Sequence, residues 1–259
     1  MAINEELNIE LRRRRIKEIL GKEGKVKVTE LGQLFGTSEV TIRSDLSELE
    51  KEGALERVHG GAIPISRTYY NMNFYERKAS NVDEKRRIAA AVASMIEDGE
   101  TVMINSGTTT YFIACELKNH KNLSIVTNSV SIAMELGQLS NLHIILLGGS
   151  INVQYSFTYG NDAISQLKKY KTDKLILSVD GISADAGITT YHFQESEVNK
   201  TMMERVNNTI IVADYSKIGR ESFSNIASIE MIDYLITNNS ANREELDKIE
   251  EKGVEVKLV

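Results

Sequence analysis

Residues 38–62 read SEVTIRSDLSELEKEGALERVHGGA, and this stretch decides the fold of the N-terminal part of the chain. Its first half places short polar residues before apolar residues at helical spacing, which predicts a helix capped by Thr37 and Ser38 that ends near residue 51. The apolar residues expected to face inward are Val40, Ile42, Leu46 and Leu49. The second half predicts a strand at residues 54–58, a turn at residues 60–61 and a return strand at residues 62–65.

Two further helices are predicted upstream of this stretch. Residues 7–20 carry one apolar stripe, and residues 30–35 form a short helix that Thr29 caps and Gly36 ends. The apolar stripe of the first helix consists of Leu7, Leu11, Ile16, Ile19 and Leu20. A helix, then two helices joined by a short turn, then a hairpin is the order of a winged helix-turn-helix domain. Such a domain places its recognition helix in the major groove of DNA.

The polar face of the predicted recognition helix supplies candidate DNA contacts. Arg43 is the strongest candidate, because a guanidinium group can bind guanine or clamp a phosphate. The other candidates on this helix and on the hairpin are Ser38, Glu39, Thr41, Ser44, Arg57 and His59. The basic residues 12–15, with Lys22, Lys25 and Lys27, can face the DNA backbone. The alternative is that these residues are ordinary surface charges of a small helical domain.

Composition limits the class of protein. The chain has 259 residues, of which 41% are hydrophobic and 26% charged, and this suits a small module joined to a larger soluble domain. Without an apolar run of membrane-spanning length or a signal peptide, and with a single cysteine, Cys115, we expect a cytoplasmic protein. The four histidines show no metal-ligand spacing, and we expect neither a metal nor another cofactor. A net charge of −6 means that any DNA-binding surface is local.

Beyond residue 82 the chain alternates short β-branched runs with helical patterns. Strands are predicted at residues 101–104, 123–127, 143–147, 174–179, 209–212, 234–237 and 255–258. Helices are predicted between most of them, at residues 84–96, 129–139, 195–206 and 242–251. This alternation predicts an open α/β domain with a mostly parallel sheet covered by helices on both faces. The predicted domains are residues 1–65 and 82–259, joined by a polar, tyrosine-rich linker at residues 66–81.

Glycines, hydroxyls and charged residues follow five of the predicted strands. In open α/β sheets, ligands bind beyond the carboxyl ends of the strands. The residues at these ends are Asn105, Ser106, Gly107, Thr108, Thr109, Asn128, Ser129, Gly148, Gly149, Asp180, Gly181 and Lys217. Taken singly, they are also explained as capped turns, tight glycine turns and a surface lysine. Their convergence on one edge predicts a sugar-phosphate pocket, in which residues 106–109 bind the phosphate at a helix N-terminus and Lys217 offsets its charge.

Two groups of motifs resemble a known family. TIRSDL at residues 41–46 and HGGA at residues 59–62 resemble the DeoR family of bacterial repressors. The stretches SGTT, VTNS, LLGG, VDGIS, GITT, ESEVNK and ADYSK begin at residues 106, 126, 146, 179, 187, 195 and 213. They are similar to the sensor domain of that family, which is itself similar to ribose-5-phosphate isomerase. The resemblance covers nearly the whole chain.

The resemblance implies a repressor that binds double-stranded operator DNA, forms a homodimer or homotetramer and responds to a phosphorylated sugar. It adds Gly187, Thr189, Thr190, Glu197 and Lys200 to the expected effector site. It implies a receptor that is no enzyme, because Ser183 stands where the isomerases carry a second aspartate. The chain departs from the family where Ser44 replaces a second arginine in the recognition helix and where Asn105 replaces an aspartate.

Two other classes of function fit parts of the sequence. One is a sugar-phosphate isomerase with an accessory helical domain. The other is a metabolite-binding module whose N-terminal domain contacts proteins. The TIRSDL helix and the hairpin that follows it favour a DNA-binding regulator over the second of these. Assays of DNA retardation and of sugar-phosphate turnover separate the three.

Overall fold

Two compact units, Met1–Met72 and Asn73–Val259, make up the chain. The computed structural model describes residues 2–23, 25–51, 54–58, 60–64 and 72–259. The predictions made for His59, for residue 65 and for linker residues 66–71 lie outside the described residues. Within those ranges, every helix is too short or too polar to cross a lipid bilayer.

The N-terminal unit packs helices against a small antiparallel sheet. Its described helices are α1 (Ala2–Glu23), α2 (Val28–Phe35) and α3 (Glu39–Lys51), and its described strands are β1 (Val26–Lys27), β2 (Leu55–Val58) and β3 (Gly61–Pro64). Strand β3 pairs with both β1 and β2. Ile16 and Leu20 of α1 are buried together with Ile42, Leu46 and Leu49 of α3. This arrangement confirms the predicted winged helix-turn-helix.

Three local predictions in this unit are wrong. Helix α2 begins at Val28, and Thr29, predicted as its N-cap, is inside the helix. Val40 is 76% exposed and Leu11 is 57% exposed, although both were expected to face inward. Val40 precedes Ile42 by two residues, which places it about 200° around the helix from the buried stripe. Leu11 precedes Ile16 by five residues and is turned away by about 140°.

The second unit contains most of the strands. Its described strands are β4 (Thr101–Ile104), β5 (Leu123–Thr127), β6 (Leu142–Leu146), β7 (Ser150–Asn152), β8 (Phe157–Tyr159), β9 (Thr172–Ser178), β10 (Gly181–Ser183), β11 (Gly187–Thr190), β12 (Val206–Val212), β13 (Ser224–Ala227), β14 (Tyr234–Thr237) and β15 (Glu255–Leu258). Among the described residues, seven of these form one sheet in the order β15-β14-β12-β9-β4-β5-β6. Every neighbouring pair in this sheet is parallel, as predicted.

Helices cover this parallel sheet because both of its faces are apolar. The helices described in the unit are α4 (Phe74–Lys78), α5 (Val82–Ala93), α6 (Thr108–Glu116), α7 (Val130–Leu136), α8 (Asn161–Leu167), α9 (Phe193–Met203) and α10 (Arg243–Glu251). Side chains alternate along each strand: Met103 of β4 belongs to one buried cluster, whereas its neighbours Val102 and Ile104 belong to another. A parallel sheet with two buried faces follows from this pattern.

Two small antiparallel sheets were not predicted. They have the strand orders β10-β11-β13 and β7-β8. Gly187 begins β11 with a φ of 71°, and a Cβ there would lie 2.1 Å from the carbonyl oxygen of Ala227. Glycine is therefore required both for the backbone conformation and for the approach of β13. Gly181 starts strand β10 directly after Asp180, which holds Asp180 at the carboxyl edge of the parallel sheet.

The C-terminal part of the predicted linker belongs to the second unit. Helix α4 lies inside residues 66–81, and Asn73 caps it in a capping box with Glu76. The N–H of Phe74 donates to the carbonyl oxygen of Gln154 at 2.9 Å, and the Phe74 side chain is 4% exposed. The ammonium group of Lys85 donates to the carbonyl oxygens of Arg77 and Ser80 at 2.5 and 2.6 Å. The boundary between the units lies at residues 72/73, inside the predicted linker.

Candidate functional site

A short glycine turn positions the recognition helix α3. Gly36 ends α2 in the left-handed conformation with a φ of 59°, as predicted. The Thr37 N–H donates to the carbonyl oxygen of Gly32 at 3.0 Å, and this closes the turn. Ser38 then caps α3, since its Oγ accepts from the Thr41 N–H at 3.2 Å. The first turn of α3 thus begins at a defined angle after α2.

The predicted DNA contacts on α3 form an accessible polar face. Arg43 is exposed and pairs with Glu39 of the preceding turn, Nη2 to Oε2 at 3.3 Å. Ser38 and Ser44 are exposed, and Thr41 is half-buried. On β2, Arg57 is exposed and its N–H donates to Glu50 Oε1 at 2.9 Å. These side chains lie outside the hydrophobic core of the unit and are accessible to a DNA partner.

The basic run at residues 12–15 divides into two pairs with different surroundings. Arg12 Nε donates to Asp45 Oδ2 at 2.5 Å, and Arg13 Nε donates to Oδ1 of the same carboxylate at 3.0 Å. Asp45 is 2% exposed, so these two arginines balance a buried charge. Arg14 and Arg15 are exposed and pair with Glu18 of their own helix. Arg12 and Arg13 therefore join α1 to α3, and contact of these four arginines with the DNA backbone stays a prediction.

In the second unit, Asn105 connects the carboxyl ends of β4 and β9. Its Nδ2 donates to the carbonyl oxygen of Ser178 at 3.0 Å, and its Oδ1 accepts from the Ser178 N–H at 2.9 Å. Asn105 is fully buried. An ionised aspartate has no N–H to donate to that carbonyl, so the amide matches both backbone groups. This explains how the chain uses asparagine at the position where it departs from the family pattern.

The turn between β4 and α6 packs tightly against β9 and β5. A Cβ on Gly107 would lie 2.0 Å from Ser178 Oγ, so a side chain there would displace the Ser178 hydroxyl. The Ser106 N–H donates to Asn128 Oδ1 at 2.9 Å, and the Ser106 hydroxyl donates to Glu195 Oε1 at 2.7 Å. Thr108 and Thr109 begin α6 and are each 6% exposed. The turn therefore brings hydroxyls and the N-terminus of α6 beside a buried acid.

Asp180, Thr190 and Glu195 form a buried cluster, here named the acid cluster. The Thr190 hydroxyl lies 3.2 Å from Asp180 Oδ2 and 3.1 Å from Glu195 Oε2. Asp180 Oδ2 also accepts from the Tyr191 N–H at 2.9 Å. Arg77 of α4 reaches Asp180 Oδ1 at 3.4 Å and lies over the ring of Tyr155, 4.5 Å from its centroid. Strand ends and α4 thus meet at one buried point.

Burial shifts the ionisation of several groups around the acid cluster. Burial and the nearby Asp180 raise the pKa of Glu195 to about 7. Lys217 lies in the turn Tyr215–Lys217 after β12 and is 5% exposed. Burial lowers the pKa of Lys217 to about 8, although Asp214 and Asp180 favour its charged form. Perturbed acids and bases that share one buried region are typical of a ligand site.

The remaining predicted effector residues lie in three kinds of place. Ser129 caps α7 by accepting from the Ile132 N–H, and the Gly148 N–H donates to Gln166 Oε1 at 3.0 Å. Gly149 follows as an exposed residue before β7. Thr189 Oγ1 accepts from the Ser222 N–H at 2.8 Å and lies 3.2 Å from the carbonyl oxygen of Gly181, so Thr189 joins the turns beside Asp180.

Glu197 and Lys200 do not join the cluster. Their side chains are 59% and 42% exposed, and they pair with each other at 3.2 Å on the outer face of α9. The acid that α9 buries is Glu195, which lies two residues before Glu197 and therefore about 200° around the helix from it. Glu197 and Lys200 therefore lie outside the acid cluster, and their effector roles stay predictions.

Family models match both units. The DeoR-like helix-turn-helix domain matches residues 12–68, and the DeoR C terminal sensor domain matches residues 80–239. A putative aga operon transcriptional repressor of Escherichia coli O157:H7 is 34% identical over 250 residues, which cover 96% of this chain and 93% of that protein. The chain belongs to the DeoR family. It is a transcription regulator with a helix-turn-helix DNA-binding domain and a sensor domain.

Other DeoR-family relatives have similar lengths. The glycerol-3-phosphate regulon repressor of Escherichia coli K12 is 35% identical over 224 residues, which cover 86% of this chain and 88% of that protein. The repressor GlcR of Bacillus subtilis is 33% identical over 242 residues, 93% of each chain. A ribose 5-phosphate isomerase from Plasmodium falciparum matches with 15% identity and a TM-score of 0.38, over 54% of this chain and 52% of that one. The family assignment depends on the sequence matches.

The sequence analysis did not include two residues of the buried acid cluster and its surroundings, Glu195 and Arg77. Glu195 is in the ESEVNK motif, and the buried positions 195, 198, 199 and 202 of α9 share one helical face, which was a usable signal. Arg77 was assigned to the linker. The Asn73–Glu76 capping box, an asparagine followed three residues later by glutamate, was the available sign of a helix there.

Proposed function

We propose that this DeoR-family regulator binds operator DNA with an affinity that a phosphorylated sugar controls. The observation that carries the proposal is the hydroxyl-rich turn at residues 106–109, which opens onto the N-terminus of α6 and bonds directly to the acid cluster. Helix N-termini attract phosphate through unpaired N–H groups and the helix dipole. The names of two relatives, the aga operon repressor and the glycerol-3-phosphate regulon repressor, support sugar metabolism as the regulated process.

The effector site divides into a phosphate seat and a hydroxyl region. The first turn of α6 receives the phosphate, and the cationic side chains of Lys217 and Arg77 offset its charge. Asp180 accepts hydrogen bonds from sugar hydroxyls, and Asn128 holds the Ser106 backbone of the phosphate seat in place. The same residues bind without turnover, because Ser183 accepts from the Ala186 N–H in the β10–β11 turn and supplies no second carboxylate.

DNA recognition requires two copies of the N-terminal unit. A homodimer or homotetramer presents its recognition helices about 34–36 Å apart, one turn of DNA, to a palindromic or repeated operator. The effector changes operator affinity by a coupling free energy of about 1–3 kcal/mol, the usual range for linked sites. Arg43 contacts base edges or phosphates, and Ser38, Glu39, Thr41, Ser44, Arg57 and His59 complete the interface.

The phosphate seat is tested with Lys217→Met, which keeps the length of the side chain and removes its charge. A thermal-shift screen of sugar phosphates first selects a ligand, since a ligand at 100 times its Kd stabilises by about 2.7 kcal/mol. We expect Lys217→Met to weaken that phosphorylated sugar by about tenfold or more, in line with about 1.5–3 kcal/mol for a hydrogen bond to a charged group. Binding of the unphosphorylated sugar should change little.

The matched control is Lys200→Met, because Lys200 is half-exposed and pairs only locally with Glu197 in the described structure. It should leave both sugars unaffected, and effector-free DNA binding should persist in both variants. NMR spectra of the same samples should show no aldose–ketose exchange. Equal weakening of both sugars by Lys217→Met would remove Lys217 from the phosphate seat, and turnover at enzyme rates would favour an isomerase.

Arg43→Ala tests the DNA interface. Arg43 is 54% exposed on the polar face of α3, and a bidentate guanine contact discriminates by about 1–3 kcal/mol. We therefore expect operator affinity, measured by fluorescence anisotropy at fixed salt, to fall by that amount, with a smaller loss on random DNA. Arg243→Ala, an exposed arginine of the sensor unit, is the control. Equal losses on operator and random DNA would make Arg43 a phosphate contact, and no loss would exclude it from the interface.

A further inference from the structure

The Thr190 hydroxyl lies between two carboxyl groups that it cannot satisfy alone. It is within hydrogen-bond distance of Asp180 Oδ2, at 3.2 Å, and of Glu195 Oε2, at 3.1 Å. A hydroxyl has one hydrogen to donate and can also accept. If both acids were ionised, one carboxylate would face the Thr190 oxygen without a full hydrogen bond, inside a region where Thr190 is 2% exposed.

A proton on one of the two acids, in addition to the Thr190 hydroxyl proton, gives each contact a hydrogen bond. Asp180 is the acid with charged and backbone donors, since Arg77 reaches its Oδ1 and the Tyr191 N–H reaches its Oδ2. Glu195 has the Ser106 hydroxyl on Oε1 and the Thr190 hydroxyl at Oε2. A protonated Glu195 donates to Thr190, and Thr190 then donates to Asp180. In this order of hydrogen bonds, the Glu195 proton and the Thr190 proton each make one bond, and no carboxylate faces the Thr190 oxygen without a hydrogen.

We propose that Glu195 is protonated in the effector-free sensor and that this neutral acid makes the site selective for a dianionic ligand. The inference rests on the proposed function for the identity of the ligand as a phosphate ester. Ser106 connects the two features, because its hydroxyl bonds Glu195 and its backbone begins the phosphate seat. An ionised Glu195 would add a negative charge beside that seat, whereas a neutral one does not.

The charged and titratable groups around Glu195 agree with this assignment. Asp180 and Arg77 of α4 act on Glu195 directly, and Lys217 after β12 and His192 before α9 interact with both of these groups. Burial and Asp180 raise the pKa of Glu195 from 4.5 to about 7, and burial lowers the pKa of His192. Between pH 4.5 and about 7, Glu195 therefore keeps a proton in the folded protein that it releases in the unfolded chain. From this group, stability is greatest below pH 4.5 and declines as pH rises to about 7.

The affinity for the ligand should depend on the protonation of Glu195. A dianion favours the protonated form of Glu195, so its affinity should fall as pH rises through about 7. At pH 8 about one-tenth of the sites would be protonated, which reduces the apparent affinity about tenfold relative to fully protonated sites. Sulfate is a suitable probe, because it is a tetrahedral dianion across this range of pH.

The first experiment titrates the effector-free full-length protein. Glutamate carrying ¹³C at its carboxyl carbon is incorporated, and the NMR shifts are followed from pH 4 to 9. We expect one glutamate to titrate near pH 7, to vanish in Glu195→Gln and to persist in Glu197→Gln, the exposed control on the same helix. Ser106→Ala removes a donor to the ionised carboxylate and should raise the midpoint, which assigns the signal even if Glu195→Gln folds poorly. A Glu195 midpoint below about 5 would overturn the proposal.

The second experiment measures sulfate binding at pH 6 and pH 8 by calorimetry. The wild-type protein should lose at least about tenfold in affinity between these values, and Glu195→Gln, a neutral mimic, should lose only about twofold, because Lys217, with a pKa of about 8, is half neutral at the higher pH. Equal pH dependence in both proteins would overturn the role of Glu195 in selecting the dianion. Absence of sulfate binding at both pH values would contradict the phosphate seat of the proposed function. The titration of the effector-free protein would still decide whether Glu195 is protonated.

Discussion

Replacing Asp45 with alanine is expected to destabilise the N-terminal unit by about 3 kcal/mol. Removing one partner of a buried ion pair costs about 3–5 kcal/mol, because it leaves an uncompensated charge. The low end applies here, since the side chains of Arg12 and Arg13 retain 17% and 25% exposure and can reach solvent when released. Helices α1 and α3 would lose the contact that joins their polar sides, so operator binding should fail at a lower temperature.

Hydrogen exchange of the full-length protein measures this effect by region. Amide protection in residues 39–51 should fall by a factor of about 10², as about 1.4 kcal/mol corresponds to tenfold. Protection in the parallel sheet should not change. Glu39→Ala is the matched control, because Glu39 is an acid on the same helix with half of its side chain exposed. It should alter stability by less than about 0.5 kcal/mol. Similar exchange in the two variants would contradict a structural role for Asp45.

Replacing Arg77 with alanine is expected to weaken effector binding by about 100-fold or more. The substitution removes the guanidinium that faces Asp180 and lies over Tyr155, and it leaves a buried carboxylate next to Glu195. Breaking a buried pair leaves an uncompensated charge, at a cost of about 3–5 kcal/mol. Here that charge is a carboxylate beside the phosphate seat, where it repels the phosphate. Arg77→Lys keeps the charge but loses the planar fork and the stacking, so it should restore binding in part.

Calorimetry with the sugar phosphate selected by the screen measures this loss, and gel retardation measures operator binding in the same preparations. Effector-free DNA binding should persist, since Arg77 lies in the sensor unit. Arg86→Ala is the control, an exposed arginine on the neighbouring helix α5. Affinity within threefold of wild type would exclude Arg77 from the site.

Local patterns in the sequence predicted most of the backbone. The bounds of β4, β5, β14 and β15 agree with the predicted ranges residue for residue. Strands β4, β5 and β14 are short, mostly apolar runs between turn residues, and β15 at the edge of the sheet alternates charged and apolar residues. Both patterns are local signals of a strand. The left-handed Gly36 and the helix-turn-helix around it were likewise predicted from neighbouring residues. Where a local signal was misjudged, as at Val40 and Leu11, simple helical geometry accounts for the difference.

Contacts between distant parts of the chain decided which polar residues form the sites. Glu195 and Glu197 are near neighbours in one motif, and only the tertiary packing of α9 buries the first, beside Ser106 and Thr190, and leaves the second exposed. Arg12 bonds Asp45 across 33 residues, and Arg77 bonds Asp180 across 103 residues. Apolar burial is non-directional, so spacing along the chain was sufficient to predict it. An ion pair needs its partner at about 3 Å and a fixed angle, which only the folded chain provides.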